Sequence, residues 1–276
     1  MTESIKIATW NVNSVKARLH AVDEWLKEEQ PDIVLLQELK CVTEAFPYEQ
    51  IEDLGYNIAA HGQKSYNGVA ILSKYPIDEV VKELPLESED DEIDEQARYI
   101  EALVYINDKV LKVASVYVPN GNTVGSDKFL YKMKFFDRLR KYYIETSYTD
   151  DTAFLIGGDY NVAPEDIDVY DPKSLRNTIC FHPEEQQKYR SLINSGLTEL
   201  FRAFNPDIQQ FSWWDYRGGG YKNGKGMRID FLLACPKVAD IAINCSIDEN
   251  PRGKEKASDH TPVICTLDVS KLEDSL

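Results

Sequence analysis

The chain has 276 residues, of which 43% are hydrophobic and 11% aromatic; that is ample for a sizeable core and speaks against disorder. A formal net charge of −16 argues against non-specific binding to nucleic acid, which rests on neutralising phosphates, unless a local basic face or a metal ion intervenes. Five scattered cysteines without a CxxC pair favour reduced thiols in a cytoplasmic setting over a disulfide framework or a zinc site.

The N-terminal residues lack a basic region followed by an apolar one, so no secretory signal is expected, and the longest apolar runs are too short to span a bilayer. Ile5–Trp10 alternates and reads as a strand. It ends at Asn11-Val12-Asn13-Ser14, where Asn13 or Ser14 is placed to cap the next helix. Val15, Leu19, Val22 and Leu26 recur at helical spacing. Pro31-Asp32 punctuates, and Ile33–Leu36 is the continuous apolar run of a buried strand that delivers Gln37 and Glu38. A short helix over Phe46–Leu54, a strand from Tyr56 and a turn at Tyr66-Asn67-Gly68 lead into Val69–Leu72. The stretch ESEDDEIDE, residues 87–95, carries seven acids in nine positions and reads as a solvated loop.

Strands are expected over Tyr99–Tyr105 and Val110–Val118, joined by a hairpin turn at Asn107-Asp108. Pro119–Asn122 is a loop, and Ser126 to about Ser147 is helical, with Phe129, Met133, Phe136 and Leu139 on one stripe. The apolar run Ala153–Ile156 stops at Gly157-Gly158, where glycines permit a sharp turn, before Asp159-Tyr160-Asn161. In an extended segment Asp159 and Asn161 share a face. Helical patterns return over Pro183–Asn194 and Leu197–Phe204. The aromatic strand or loop Phe211–Arg217 precedes three glycines and a basic tract of Lys222, Lys225 and Arg228. Ile229–Ala234 and Ala239–Ile247 read as strands, Ser258-Asp259-His260 leads into the last strand, Val263–Leu267, and the tail after Val269 reads as dispensable. With no linker or repeat, one domain over 1–276 is expected, its core from about 5 to 267. Several strand pairs have connections too short for a parallel crossover, so the fold class is layered α/β with mixed sheets covered by helices.

Asn11, Glu38, Asp159 and Asn161 each follow an apolar run, while Asp230 and the Asp259-His260 pair lie at or before one. In a mixed sheet the ends of some strands and the starts of others share an edge, so these residues can converge. Taken singly, each has a plainer explanation: Gly-Gly-Asp-Tyr-Asn as a turn, Glu38 as a solvated strand end, Tyr117 as a core aromatic. Asp230, within an apolar strand, must be paired if buried. Taken together, oxygen donors without thiols suit Mg²⁺ or Mn²⁺. A histidine among carboxylates is held protonated or in one tautomer, and a phosphoryl centre needs cations, a base and a stabilised leaving oxygen.

The ordered run Trp10-Asn11-Val12-Asn13, Leu36-Gln37-Glu38, Asn67-Gly68-Val69-Ala70, Tyr117-Val118-Pro119, Gly158-Asp159-Tyr160-Asn161, Trp213-Trp214-Asp215-Tyr216-Arg217, Arg228-Ile229-Asp230 and Ser258-Asp259-His260 resembles the exonuclease III family of abasic-site DNA endonucleases, within the endonuclease/exonuclease/phosphatase superfamily. The resemblance covers about Ile5 to Leu267. It implies a four-layer α/β sandwich of two mixed β-sheets flanked by helices, with the site at one edge between the sheets. It implies Glu38 as the principal Mg²⁺ ligand (Mn²⁺ as an alternative), with Asn11, Asn13 and Asp259 around the metal or its waters. Asp159 would orient or deprotonate the attacking water, Asn161 would hold Asp159 and the phosphate, and His260, paired with Asp230, would contact phosphate oxygens together with Tyr117.

Trp213–Arg217 resembles the aromatic wall that receives a flipped-out baseless sugar, with Trp214 favoured by motif position. Lys64, Asn67, Asn120, Asn122, Lys222 and Lys225 are the expected phosphate-backbone contacts. The implied activity is that of a monomeric, Mg²⁺-dependent DNA repair hydrolase acting on duplex DNA, cutting 5′ to abasic sites and trimming blocked 3′ ends, with no membrane partner. A superfamily phosphatase or phosphodiesterase acting on a non-DNA ester is the alternative, and a catalytically silent DNA-binding protein on the same fold is a third. Tyr160 and the acidic 87–95 stretch depart from the family pattern.

Overall fold

In the computed structural model, which describes residues 4–84, 94–149 and 152–272, period-two alternation assigns each strand's side chains to two different cores. The strand Ser4–Asn11 (β1) turns Ile5 and Ile7 into one core and Ala8 and Trp10 into another. Ile33–Gln37 (β2) divides Ile33 and Leu35 from Val34 and Leu36 in the same way. Most of the acidic stretch, residues 87–93, lies outside the described residues.

Asn57–His61 (β3) and Val69–Ser73 (β4) complete one half of the first sheet. The second sheet is built from Ile77–Val81 (β5), Tyr99–Ile106 (β6), Lys109–Tyr117 (β7), Ala153–Asp159 (β8) and Thr198–Glu199 (β9). A two-residue ribbon, Trp213–Trp214 (β10) with Gly226–Met227 (β11), stands apart. Asp230–Ala234 (β12) returns to the second sheet, and Ala242–Ile247 (β13) and Val263–Asp268 (β14) to the first. The spatial orders are β13-β14-β1-β2-β4-β3 and β5-β6-β7-β8-β12-β9. Among the described residues each sheet has a single parallel pair, β1 with β2 and β7 with β8. Parallel neighbours need a crossover, and the helices Leu19–Glu29 and Asp127–Thr149 supply the two. The β6–β7 hairpin closes at Asn107-Asp108 as expected, with Asn107 at φ +56°.

Four layers follow. Val22, Trp25 and Leu26 of the first crossover helix cover the outer face of the first sheet. Phe129, Met133, Phe136 and Leu139 of the second, with Tyr189 and Leu192 of the helix Pro183–Ile193, cover the outer face of the other. Between the sheets, Ile7, Leu35 and Ile71 meet Val113, Leu155 and Leu232.

Some expectations fail for identifiable reasons. The strand β8 runs through both glycines to Asp159 instead of stopping at them. Their role is close approach: a Cβ on Gly157 would stand 2.7 Å from Leu35 Cδ1 and Leu232 Cδ2, and one on Gly158 1.9 Å from the Val116 carbonyl oxygen. The first helix starts at Leu19, with no side-chain cap, because Asn13 and Ser14 adopt φ of +46° and +90° in the preceding loop. Pro236 opens a helical turn, Pro236–Asp240, before β13, which shortens the expected strand. Beyond Val269, Leu272 packs into the inter-sheet core, so this part of the tail is structural.

Candidate active site

The inner-facing positions of five strands change from apolar to polar at one common edge. They read Ile5-Ile7-Thr9-Asn11 on β1, Ile33-Leu35-Gln37 on β2, Leu111-Val113-Ser115-Tyr117 on β7 and Leu155-Gly157-Asp159 on β8. On β12 the run is reversed, with Asp230 first and Leu232 and Ala234 after it, because β12 is antiparallel to β8 and pairs Asp230 with Asp159. The same register logic pairs Tyr117 with Asp159 and Asn11 with Gln37. Beneath the edge, Gln37 Nε2 donates to Thr9 Oγ1 at 3.0 Å and to Ser115 Oγ of the other sheet at 2.9 Å. This buried polar layer stitches the sheets together under the site. The sequence reading did not single out Thr9 or Ser115, although their parity marks them.

Asn11, buried, donates through Nδ2 to Glu38 Oε1 and to Asp159 Oδ2, each at 2.9 Å. The other Asp159 oxygen accepts the Asn161 main-chain N–H at 2.8 Å. Asn161 sits at φ +51°, so the segment is not extended there and the shared face expected of an extended pair does not apply; it turns back over the carboxylate that precedes it. Its Nδ2 donates to the Val118 carbonyl, and its Oδ1 accepts from Asn120 Nδ2, both at 2.9 Å. His260 lies just before β14. Its Nδ1 is 2.8 Å from Asp230 Oδ2, and its Nε2 is 3.6 Å from Asp159 Oδ2. Ser212 Oγ donates to Asp230 Oδ2 at 2.6 Å and accepts the Asp230 N–H at 3.1 Å. That positioning hydroxyl had no signal in the spacing.

Burial sets the charge states. It favours neutral Asp159, and with Asp230 and Glu38 nearby the carboxyl is pushed up to about 7 despite His260. Burial opposes a charged His260, but Asp230 and Asp159 outweigh it and raise the imidazole to about 10. Glu38 is half-buried, and although desolvation opposes its charge, Lys40 and the Asn11 amide hold its carboxyl below the usual range. The Tyr117 phenol is kept protonated by burial and by the Glu38 and Asp159 carboxylates.

The fit to a divalent cation rests on this donor set. Carboxylate oxygens of Glu38 and Asp159 lie within 4.8 Å of each other and of a His260 ring nitrogen, and with the imidazole held protonated the oxygens are the donors. Lys40 Nζ already stands 2.8 Å from Glu38 Oε2 and donates to Asn13 Oδ1, so the position draws positive charge. The nearby Cys180 thiol is pushed up to about 12 by burial, leaving hard oxygens as the available donors, which suits Mg²⁺ or Mn²⁺. Asp259 stands one step outside the group: its Oδ1 accepts from Asn13 Nδ2 at 2.8 Å and its Oδ2 from Trp213 Nε1 at 3.1 Å.

These groups floor a cleft of about 770 Å³ also lined by Asn120, Asn122, Trp213 and Arg217. The preference for Trp214 is corrected here. Successive residues of a strand point to opposite sides, so only one tryptophan of β10 can face the cleft. That one is Trp213, 6.5 Å from the His260 ring between centroids, whereas Trp214 is 3% exposed and packs on Phe211 and Tyr221. Asn67 is also buried, its Nδ2 given to Gln63 and Gln96, and lines an adjoining pocket of about 450 Å³ with Asn120 and Asn122. Lys64, Lys222 and Lys225 are exposed and line neither hollow. Arg98, which nothing in the spacing marked, lies over the Tyr117 ring at 4.9 Å.

A family model described as the Endonuclease/Exonuclease/phosphatase family matches residues 8–260. Exodeoxyribonuclease III of Haemophilus influenzae is 36% identical to the chain, covering 94% of it and 98% of the relative. The exodeoxyribonuclease of Bacillus subtilis is 31% identical, covering 96% and 100%. Among solved structures, a 3′ phosphatase from Neisseria bound to a product DNA hairpin matches with TM-score 0.88 and 35% identity over 96% of this chain and 99% of that one. An AP endonuclease from Archaeoglobus fulgidus matches with TM-score 0.88 and 36% identity over 96% and 100%. The chain therefore belongs to the endonuclease/exonuclease/phosphatase family, on its exodeoxyribonuclease III side.

Proposed function

We propose that the protein is a divalent-metal-dependent DNA repair hydrolase that cuts the phosphodiester 5′ to abasic sites in duplex DNA and trims 3′ ends. It is a phosphodiester hydrolase by family, and the whole chain acts as one monomeric domain. The observation that carries the proposal is the convergence of Glu38, Asp159 and the His260–Asp230 pair on the floor of a cleft walled by Trp213. Five free, buried thiols suit a reducing, cytoplasmic setting.

The scissile phosphate is read as lying over this floor. His260, held charged, neutralises a non-bridging oxygen, and the protonated Tyr117 phenol donates to another. Asp159, with a proton affinity near neutrality, accepts a proton from the attacking water. Asn11 and the Asn161 N–H hold its two oxygens, so the carboxylate is oriented before substrate arrives. When bound at Glu38, with Asn11, Asn13 and Asp259 around it, Mg²⁺ or Mn²⁺ supplies Lewis-acid neutralisation of the phosphate and the leaving oxygen. Trp213 offers a flat apolar wall of the cleft to a baseless deoxyribose, and an intact base is read as excluded there.

The test is a 5′-labelled duplex carrying one abasic-site analogue, run beside the same duplex with an intact base, an EDTA control and the Asp159→Asn variant. The expected result is one cut at the lesion, dependent on Mg²⁺ and lost in the variant. Shortening of the intact duplex from its 3′ end would make exonuclease action the main role. Cleavage of neither duplex would overturn the DNA reading in favour of a non-DNA phosphate ester.

A further inference from the structure

Lys132 sits on the helix Asp127–Thr149, on the side packed against the second sheet, with none of its surface exposed. An ammonium has three protons to place and no acceptor of its own. Here each has an oxygen. Nζ donates to the main-chain carbonyls of Asn161 at 2.6 Å and Asn120 at 3.2 Å, and to Glu185 Oε1. Glu185 is also fully buried, and its second oxygen accepts the His182 N–H at the start of the helix Pro183–Ile193. One ion pair thus joins two outer helices to the two loops that leave β7 and β8 at the cleft.

Those loops carry the polar apparatus around Asp159. Asn161 is a non-glycine residue in the left-handed region, which surrounding contacts must hold in place. Its N–H fixes Asp159 Oδ1, and its side chain links to Val118 and to Asn120. The two side-chain bonds cross from one loop to the other and require them to keep their separation, and Lys132 touches both backbones. Stability does not account for the pair, since well-packed apolar residues commonly replace a buried ion pair without loss.

We infer that Lys132, with Glu185 as its counter-charge, is a positioning residue for the hydrolysis: it sets Asn161 and, through it, the orientation of Asp159. The inference rests on the hydrolase reading of the site. The test uses the full chain with both partners replaced, Lys132→Met with Glu185→Met, which leaves no unpaired buried charge. The variant is expected to stay folded at the assay temperature, its thermal midpoint lowered by the main-chain groups left without partners, and to keep a KM near wild type on the abasic duplex, while kcat falls about 10- to 100-fold, the scale of a small misplacement of catalytic groups. Lys132→Arg, which keeps charge and donors, is expected to retain most of kcat. Combined with Asn161→Ala, the double replacement should cost less than its effect in the wild-type background, because both act on one unit.

A wild-type kcat in the folded double variant overturns the inference, and so does a loss fully multiplicative with that of Asn161→Ala. If the double variant does not fold, Lys132→Gln with Glu185→Gln, which keeps polar groups at both positions and again leaves no buried charge, carries the same two comparisons. Amide hydrogen exchange at Asn120 and Asn161 gives a readout independent of substrate: it should quicken in the variant, and unchanged exchange overturns the tether. Quickened exchange in a protein whose wild type cleaves no DNA would instead leave the tether standing and remove the DNA reading.

Discussion

Asn11 of the first sheet reaches Asp159 of the second, its Nδ2 2.9 Å from Asp159 Oδ2. The site is therefore assembled across the seam between the sheets, and its geometry depends on their spacing. Gly157, two residues before Asp159 on the same inner face, holds that spacing small by having no side chain between Leu35 and Leu232.

Replacing Gly157 by Ala forces a methyl group against both leucines. Overpacking of this kind costs about 1–3 kcal/mol, readable as a lower urea midpoint. The shift also opens the seam at Asp159, so cleavage of the abasic duplex should fall by more than the folded fraction explains. A variant as stable and as active as wild type would show that the close spacing of the sheets does not depend on this position.

Asp230→Asn keeps the shape beside His260 and removes the charge that sustains the imidazolium. The expected loss in kcat is about 100-fold or more, the range for removing one preorganised electrostatic partner. NMR titration of the His260 ring should find its pKa lowered in parallel. An unchanged ring pKa would mean that Asp159, not Asp230, sets the charge.

Stability of the metal-free protein should fall as pH rises above neutrality. Burial opposes the charge on His260, but Asp230 and Asp159 raise its folded pKa to about 10, against about 6.5 for a free histidine. Below the lower value both states hold the proton and the stabilisation is complete. Between the two only the folded state holds it, so the advantage shrinks as pH climbs and is gone above the folded pKa. Asp159, raised to about 7, acts in the same direction at lower pH. Urea midpoints in EDTA should decline from pH 6.5 to 10, and His260→Gln should flatten that decline.

The two tryptophans of β10 should separate cleanly. Trp214→Ala empties a buried site between Phe211 and Tyr221 and should cost about 3–5 kcal/mol of stability. Trp213→Ala removes the cleft wall with a smaller effect on the unfolding midpoint. Its effect should be on selectivity, narrowing the ratio of kcat/KM for the abasic duplex over the intact one. The reverse assignment of these effects would restore Trp214 as the wall.

Much of this protein is legible in one dimension because strands impose a period of two. Alternation along Ile5–Asn11, Ile33–Gln37 and Leu111–Tyr117 decides which residues share the inner face, and the polar residue at each run's end marks the edge where they meet. The layered α/β class with mixed sheets and the possibility that Glu38, Asp159, Asp230 and His260 converge follow from that pattern, and the four-layer sandwich from the family resemblance that the motif order carries. Local chemistry also determined the Asn107-Asp108 hairpin. What only the tertiary structure decided depends on a second element's position. Gly157 and Gly158 look like a turn until another sheet and a neighbouring strand occupy the space where their side chains would be. Trp213 and Trp214 are equivalent in sequence, and the facing of one two-residue strand separates them. Lys132 reads as a solvated charge on a helix until the Asn120 and Asn161 loops and Glu185 close around it. Periodicity carries the direction of a side chain, whereas burial and partner choice are set by segments distant in the chain, which no local pattern records.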